Sequence, residues 1–208
     1  MRKLLFLCAA FLVSSFTPIS SITSTSPTLS DKERKDAIEQ LAKTELGVFN
    51  SLKDLSDAQL NFKPAPDKWS ISDCVKHIAT TEMFLWQMTS AALKQPADSS
   101  KRSAIKVTDD QVLQMVASRE KKIKTAPPLE PQNSAFKSCP DALSGFYDSR
   151  KMLTEFIATT SDDMRDHVVA LPFGSFDTYQ MILFMAAHSN RHTQQIDEVK
   201  ADPNFPKN

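Results

Sequence analysis

The stretch SFDTYQMILFMAAHSNRHTQQIDEVKAD, residues 175–202, carries most of the information about the fold. Apolar side chains recur along it at the spacing of one helix face, and this spacing predicts a single long helix. The helix is expected to begin near Ser175 or Asp177 and to end before Pro203, because proline cannot continue a helix. The apolar stripe consists of Met181, Met185, Ile196 and Val199.

Four further segments show the same periodicity, and proline-rich stretches separate several of them. No convincing alternating run, of the kind typical of β-strands, is found in the sequence. Long helices joined by loops of this length predict an all-α fold, an antiparallel four-helix bundle with a fifth, peripheral helix. The four segments cover residues 30–55, 70–94, 108–123 and 143–157, and the stretch before the last helix is expected to be irregular.

The composition is typical of one globular domain of ordinary size. The chain has 208 residues, of which 41% are hydrophobic and 24% are charged. Its 3 glycines are too few and too scattered for the phosphate-binding loops of Rossmann or P-loop proteins. The 25 basic side chains balance the 25 acidic ones, so no basic surplus indicates nucleic-acid binding.

The ends of the chain are expected to lie outside the folded domain. Residues 1–24 combine a basic start with a short apolar run, which is typical of a cleaved signal peptide. A stable membrane anchor needs about 20 apolar residues, so we expect an exported protein, periplasmic or secreted. Residues 25–31 are then a linker, residues 32–201 form the bundle domain, and residues 202–208 form a flexible tail.

Two histidines on the last helix are the sharpest chemical feature of the sequence. His188 and His192 are four residues apart, so they lie one turn apart on the same helix face, within the apolar stripe. Buried imidazoles need partners for their ring nitrogens, and either a metal ion or nearby hydrogen-bonding groups can supply them. His77, beside the apolar stripe of the second helix, completes a set of three. Three protein ligands with one vacant position are typical of a catalytic metal site.

The same histidines belong to two longer motifs. The segment KWSISDCVKH, residues 68–77, resembles the opening motif of the DinB-like family, and HSNRHTQQI, residues 188–196, resembles its closing motif. The resemblance covers residues 32–200 and implies an up-down-down-up four-helix bundle. It also implies a divalent metal on His77, His188 and His192. The candidates are zinc, nickel, iron and manganese; imidazole suits several of them, so the sequence does not choose the metal.

Other polar residues near the motifs have two interpretations each. Glu82 falls within an apolar stripe, where it could act as a general base or be paired with a lysine or arginine. Gln195 could line the metal site or bond a backbone group. Asp73 could cap the second helix or orient His77. Arg191 could hold an anionic substrate at the rim or form a surface salt bridge.

Three functions from different classes are compatible with this pattern. The first is a hydrolase in which a metal ion activates water for attack on an unknown small molecule. The second is a metal-dependent thiol transferase or isomerase, which the resemblance supports and the predicted export weakens. The third is a metal-binding helical module without turnover. The sequence leaves open whether a homodimer forms and whether Cys74 and Cys139 pair.

Overall fold

The computed structural model describes residues 28–207. The signal peptide predicted over residues 1–24 and the first part of the linker lie outside the described residues, so export stays a prediction. Within the described chain, every helix is too short or too polar to cross a bilayer.

Four long helices form the bundle, and each begins at a side-chain cap. They are α1 (Asp31–Leu52), α3 (Ile71–Leu93), α5 (Cys139–Thr159) and α6 (Thr178–Lys200). In α1, α3 and α6 the cap residue and the third helical residue bond each other's backbone N–H, which satisfies donors that the first turn leaves free. Two shorter helices, α2 (Asp57–Asn61) and α4 (Asp109–Ala117), pack outside the bundle.

Helices α1 and α6 run in the same direction. Near their starts, the Tyr179 hydroxyl donates to the carbonyl of Glu33 at 2.9 Å. Near their ends, Nζ of Lys200 donates to the carbonyl of Ser51 at 3.3 Å. Contacts at both ends fix the two helices as parallel neighbours.

Helices α3 and α5 run the other way. Arg34, at the start of α1, donates to the carbonyl of Ile157 near the end of α5. Cys74 and Cys139, near the starts of α3 and α5, lie in the same buried cluster. The order is therefore up-down-down-up, which confirms the all-α four-helix bundle and the topology that the resemblance implied.

The structure adds a β-hairpin that the sequence did not predict. Strands β1 (Val168–Leu171) and β2 (Gly174–Asp177) pair antiparallel directly before α6. Each strand has only four residues, which is too short to show a clear alternating pattern. The hairpin occupies the stretch that was expected to be irregular.

Helix α4 is shorter than predicted, and the prediction that it extends to Ile123 is wrong. It ends at Ala117, and Ile123 is 70% exposed. The backbone is extended at Ser118, and Arg119 after it donates to both carboxylate oxygens of Glu198 on α6. These contacts hold the following loop along α6.

The predicted flexible tail, residues 202–208, is in contact with the domain over its described part. The ring of Phe205 packs edge-to-face on Phe62 at 5.6 Å, and Gln59 donates to the carbonyl of Pro206 at 3.0 Å. The tail thus contacts α2 and the residue that caps its end, while its flexibility stays a prediction.

Candidate metal centre

His77 lies in the second turn of α3, whose start is fixed by a reciprocal cap between Ser70 and Asp73. This contact confirms the capping interpretation of Asp73. Nδ1 of His77 lies 2.8 Å from the carbonyl oxygen of Leu129, in a loop of two 3₁₀ turns that crosses α3. Because a carbonyl only accepts, Nδ1 of His77 carries the proton and Nε2 keeps a free lone pair.

His188 and His192 project from the middle of α6 toward His77. Nε2 of His188 lies 3.2 Å from Nε2 of His77 and 3.2 Å from Nε2 of His192. One ring nitrogen from each histidine falls within 4.8 Å of the other two. The structure thus brings together His77, His188 and His192, the three histidines predicted from the sequence.

This spacing fits one metal ion. Two nitrogens bound to a tetrahedral ion at about 2.0–2.1 Å are roughly 3.3–3.4 Å apart. The cluster includes no carboxylate or thiolate ligand among residues 28–207, so its donor set is purely imidazole. Neutral imidazole ligands suit zinc, nickel, copper or iron, and they leave the charge of the ion uncompensated.

The proton positions also favour a cation at the centre. Nδ1 of His192 lies 2.9 Å from Oε1 of Gln195, so it too donates outward and leaves Nε2 bare. Two bare nitrogens therefore face Nε2 of His188, which can donate to only one of them at a time. A buried lone pair without a partner is costly, and one metal ion would satisfy all three nitrogens together.

Burial keeps these imidazoles neutral. It lowers the pKa of His77, and the hydrogen bond to Leu129 only partly opposes it. Burial and the neighbouring rings hold the pKa of both His188 and His192 well below the ordinary value. Metal binding requires the neutral ring. At neutral pH these rings are therefore in the form that can bind a metal ion.

Gln195 lies beside the cluster, as one of its two interpretations predicted. Its Oε1 accepts from His192 and, at 3.3 Å, from Nη1 of Arg119. The sequence could not link Arg119 to the site, because Arg119 lies 76 residues from Gln195, in the loop after α4. The pair fixes the ring orientation of His192 from outside.

Glu82, for which a general base was one of two interpretations, is paired with an arginine. It is 1% exposed, its Oε2 accepts from Nε of Arg150 at 2.9 Å, and the same oxygen lies 2.9 Å from Nη2 of that guanidinium. The structure therefore places Glu82 in an internal ion pair, the alternative that the sequence left open, and outside the histidine cluster.

Two other polar residues depart from their predicted surroundings. The polar sequence around His167, which follows Asp166, predicts a solvated ring, but the side chain is buried and its ring nitrogens face the carbonyls of Asp163 and Gln95. Arg191 was expected in a surface salt bridge or at a substrate, but it is 7% exposed and donates to the carbonyl of Lys121 at 2.6 Å. In both cases a backbone carbonyl of a distant loop takes the role of the partner.

Aromatic rings flank the cluster. The ring of Trp69 lies 4.8 Å from that of His77 and 5.9 Å from that of His192. On the other side Phe184 stacks on His188 at 6.5 Å. His188 is the least buried of the three histidines, and Trp69 packs against the other two.

Comparisons with known proteins agree with this architecture. The solved structure of YfiT from Bacillus subtilis, described as a probable metal-dependent hydrolase with an unusual four-helix bundle topology, covers 93% of this chain and 97% of its own. Its TM-score is 0.58 at 14% identity, which shows a shared fold. The protein YuaE of Bacillus subtilis (strain 168) is 29% identical over 162 residues, which span 74% of this chain and 91% of YuaE.

The family itself is shown by the sequence. The model of the DinB superfamily matches residues 38–196, a span that includes α3 and α5 in full, most of α1 and α6, and the three converging histidines. The chain therefore belongs to the DinB superfamily.

Proposed function

We propose that this protein is a divalent-metal-dependent hydrolase that acts on a small molecule. The observation that carries the proposal is the convergence of three Nε2 atoms, two of them 3.2 Å from that of His188. Three protein ligands leave a coordination position for solvent or substrate. A divalent ion held by neutral imidazoles would supply the Lewis acidity that brings the pKa of water to about 7 in favourable cases.

The chain contributes the rest of the site. Leu129 and Gln195 fix the proton on the outer nitrogen of His77 and of His192, respectively. The inner nitrogen of each ring therefore keeps a lone pair that can bind a metal ion. Trp69 restricts access from one side. His188 is the least buried of the three histidines, so we expect a small substrate to approach the site at this residue.

An activity comparison tests this proposal. Protein loaded with zinc, nickel or manganese is incubated with a panel of small esters and amides, and separately with a low-molecular-weight thiol and an electrophile. We expect metal-dependent hydrolysis that is lost in His188→Ala and kept in His167→Gln, which alters a histidine outside the cluster. Thiol adducts without hydrolysis would instead identify a transferase, and a metal-loaded protein inert in both assays would contradict an enzymatic role.

A further inference from the structure

Among the described residues, Arg150 has the largest side chain that is fully buried, with 0% exposure. It projects from α5 into the centre of the bundle, and its guanidinium bonds all three other long helices. On α1 it donates to the carbonyl of Leu41 at 3.1 Å and to Oγ1 of Thr44 at 3.0 Å. On α3 it donates to Glu82 at 2.9 Å, and on α6 to Oγ of Ser189 at 2.6 Å.

Two of these contacts lie close to the metal-site histidines. Ser189 directly follows His188 on α6. Glu82 follows His77 by five residues, about 7.5 Å along α3 at 1.5 Å per residue. One rigid, planar group therefore joins the two helices that carry the three imidazoles, and Arg holds such a geometry better than a flexible Lys would.

A purely stabilising role explains this arrangement poorly. Desolvation of a buried ion pair offsets much of its attraction, and apolar replacements of both partners are often neutral or stabilising. Buried polar contacts can instead specify how elements are aligned. Here the aligned elements are α3 and α6, whose imidazole nitrogens must meet within a fraction of an ångström to bind one ion.

We propose that Arg150 is a positioning residue for the metal centre: through Glu82 and Ser189 it sets the register of α3 against α6, so that His77 meets His188 and His192. This inference rests on the proposed metal site. It concerns the alignment of the ligands and assigns Arg150 no contact with metal or substrate.

A matched pair of variants separates alignment from stability. Ser189→Ala removes the acceptor of Arg150 on the helix that carries two histidines. Thr44→Val removes an equivalent acceptor on α1, which carries none of them. Both hydroxyls also bond a carbonyl of their own helix, at 3.1 Å for Ser189 and 2.8 Å for Thr44, so each substitution removes a similar set of bonds.

The measurements are the zinc affinity, by competition with a chromophoric chelator, and the visible absorption spectrum of the cobalt-loaded protein. Circular dichroism checks that each variant is folded. We expect Ser189→Ala to bind zinc roughly tenfold more weakly and to shift the cobalt bands, whereas Thr44→Val stays within about twofold of the unmodified protein with unchanged bands.

The outcomes distinguish this inference from the function on which it rests. If the unmodified protein binds zinc and both variants match it in affinity and spectrum, Arg150 has no positioning role. Equal losses in both variants would also overturn it, because they would indicate general destabilisation. If the unmodified protein binds no zinc, the proposed function fails and this inference fails with it.

A double variant tests the same inference on the ion pair itself, independently of the two hydroxyls. Arg150→Met combined with Glu82→Leu removes the whole ion pair without leaving a lone buried charge. We expect this protein to fold with thermal stability near that of the unmodified chain, yet to bind zinc more weakly. Unchanged zinc affinity in the folded double variant would overturn the inference.

Discussion

Gln195 accepts a hydrogen bond from His192: Oε1 of the amide lies 2.9 Å from Nδ1 of the ring, within one turn of α6. Arg119 donates to the same oxygen at 3.3 Å, which fixes the orientation of the amide because a guanidinium can only donate. The proton on the outer nitrogen of His192 is thereby held in place, and the inner nitrogen is kept free to bind a metal.

Replacing Gln195 with leucine should weaken metal binding. Loss of an outer hydrogen-bond partner of a ligating histidine typically costs about 10–100-fold in metal affinity, so we expect Gln195→Leu to lower zinc affinity by that factor. Gln194→Leu is the matched control, because the neighbouring amide bonds Ala117 on α4 and no ligand. Equal zinc affinities of the two variants in chelator competition would show that Gln195 does not support the site.

The two tryptophans allow metal binding to be observed by fluorescence. The ring of Trp69 lies 4.8 Å from that of His77, whereas Trp86 is nine residues beyond His77, roughly 13 Å along α3. Nickel should therefore quench Trp69 more strongly than Trp86. We expect Trp86→Phe to keep the metal-dependent quenching and Trp69→Phe to lose most of it. The opposite pattern would place the bound ion away from the histidine cluster.

Two helical glycines should respond to alanine in opposite ways. A Cβ at Gly47 would meet only Thr193, at 3.8 Å, so Gly47→Ala should raise the free energy of unfolding by about 0.5–1 kcal/mol. A Cβ at Gly145 would overlap the ring of Phe136, and such overpacking costs about 1–3 kcal/mol. Urea denaturation measures both, and a stabilised Gly145→Ala variant would mean that the ring moves without cost.

Acid stability should depend on Glu33. Burial alone would raise the pKa of this carboxyl, but hydrogen bonds from Ser30 and Arg165 outweigh it and lower the pKa to about 2. A carboxyl with a lowered folded pKa stabilises the protein above its unfolded pKa of about 4.3 and loses that contribution as the pH falls through about 2. Glu33→Gln should therefore be less stable than the unmodified chain at pH 7, and the difference should shrink between about pH 4 and 2.

The control for this comparison is Glu39→Gln, which removes a mostly exposed carboxylate from an i,i+4 pair with Lys35. Surface pairs of this kind contribute little, so its stability difference should be small at every pH. A Glu33→Gln difference that stays constant from pH 7 to pH 2 would contradict the assigned ion pair with Arg165.

The bundle could be predicted from the sequence because its helices are long. A helix of about 20 residues repeats its apolar stripe several times, and caps such as Ser30 and Ser70 mark its start. The hairpin at 168–177 was missed because four-residue strands carry too little periodicity. The end of α4 was missed because the segment after it contacts residues distant in sequence, as Arg119 does with Glu198, 79 residues away.

The sequence could predict those parts of the site whose residues are close together along the chain. His188 and His192 share one helix face, so their proximity follows from helix geometry alone. The roles of Glu82 and His167 could not be assigned, because their partners Arg150 and the carbonyl of Gln95 lie 68 and 72 residues away in sequence. Such partners become visible only when the packing of the helices is known.

Metal content tests the central claim most directly. Elemental analysis of the protein purified without chelator, or reloaded with zinc, should give one divalent ion per chain, and the His188→Ala/His192→Ala variant should give none. His167→Gln should retain the ion. An unmodified protein that takes up no metal, or a double variant that retains as much as the unmodified chain, would contradict the assignment of these three histidines as a metal centre.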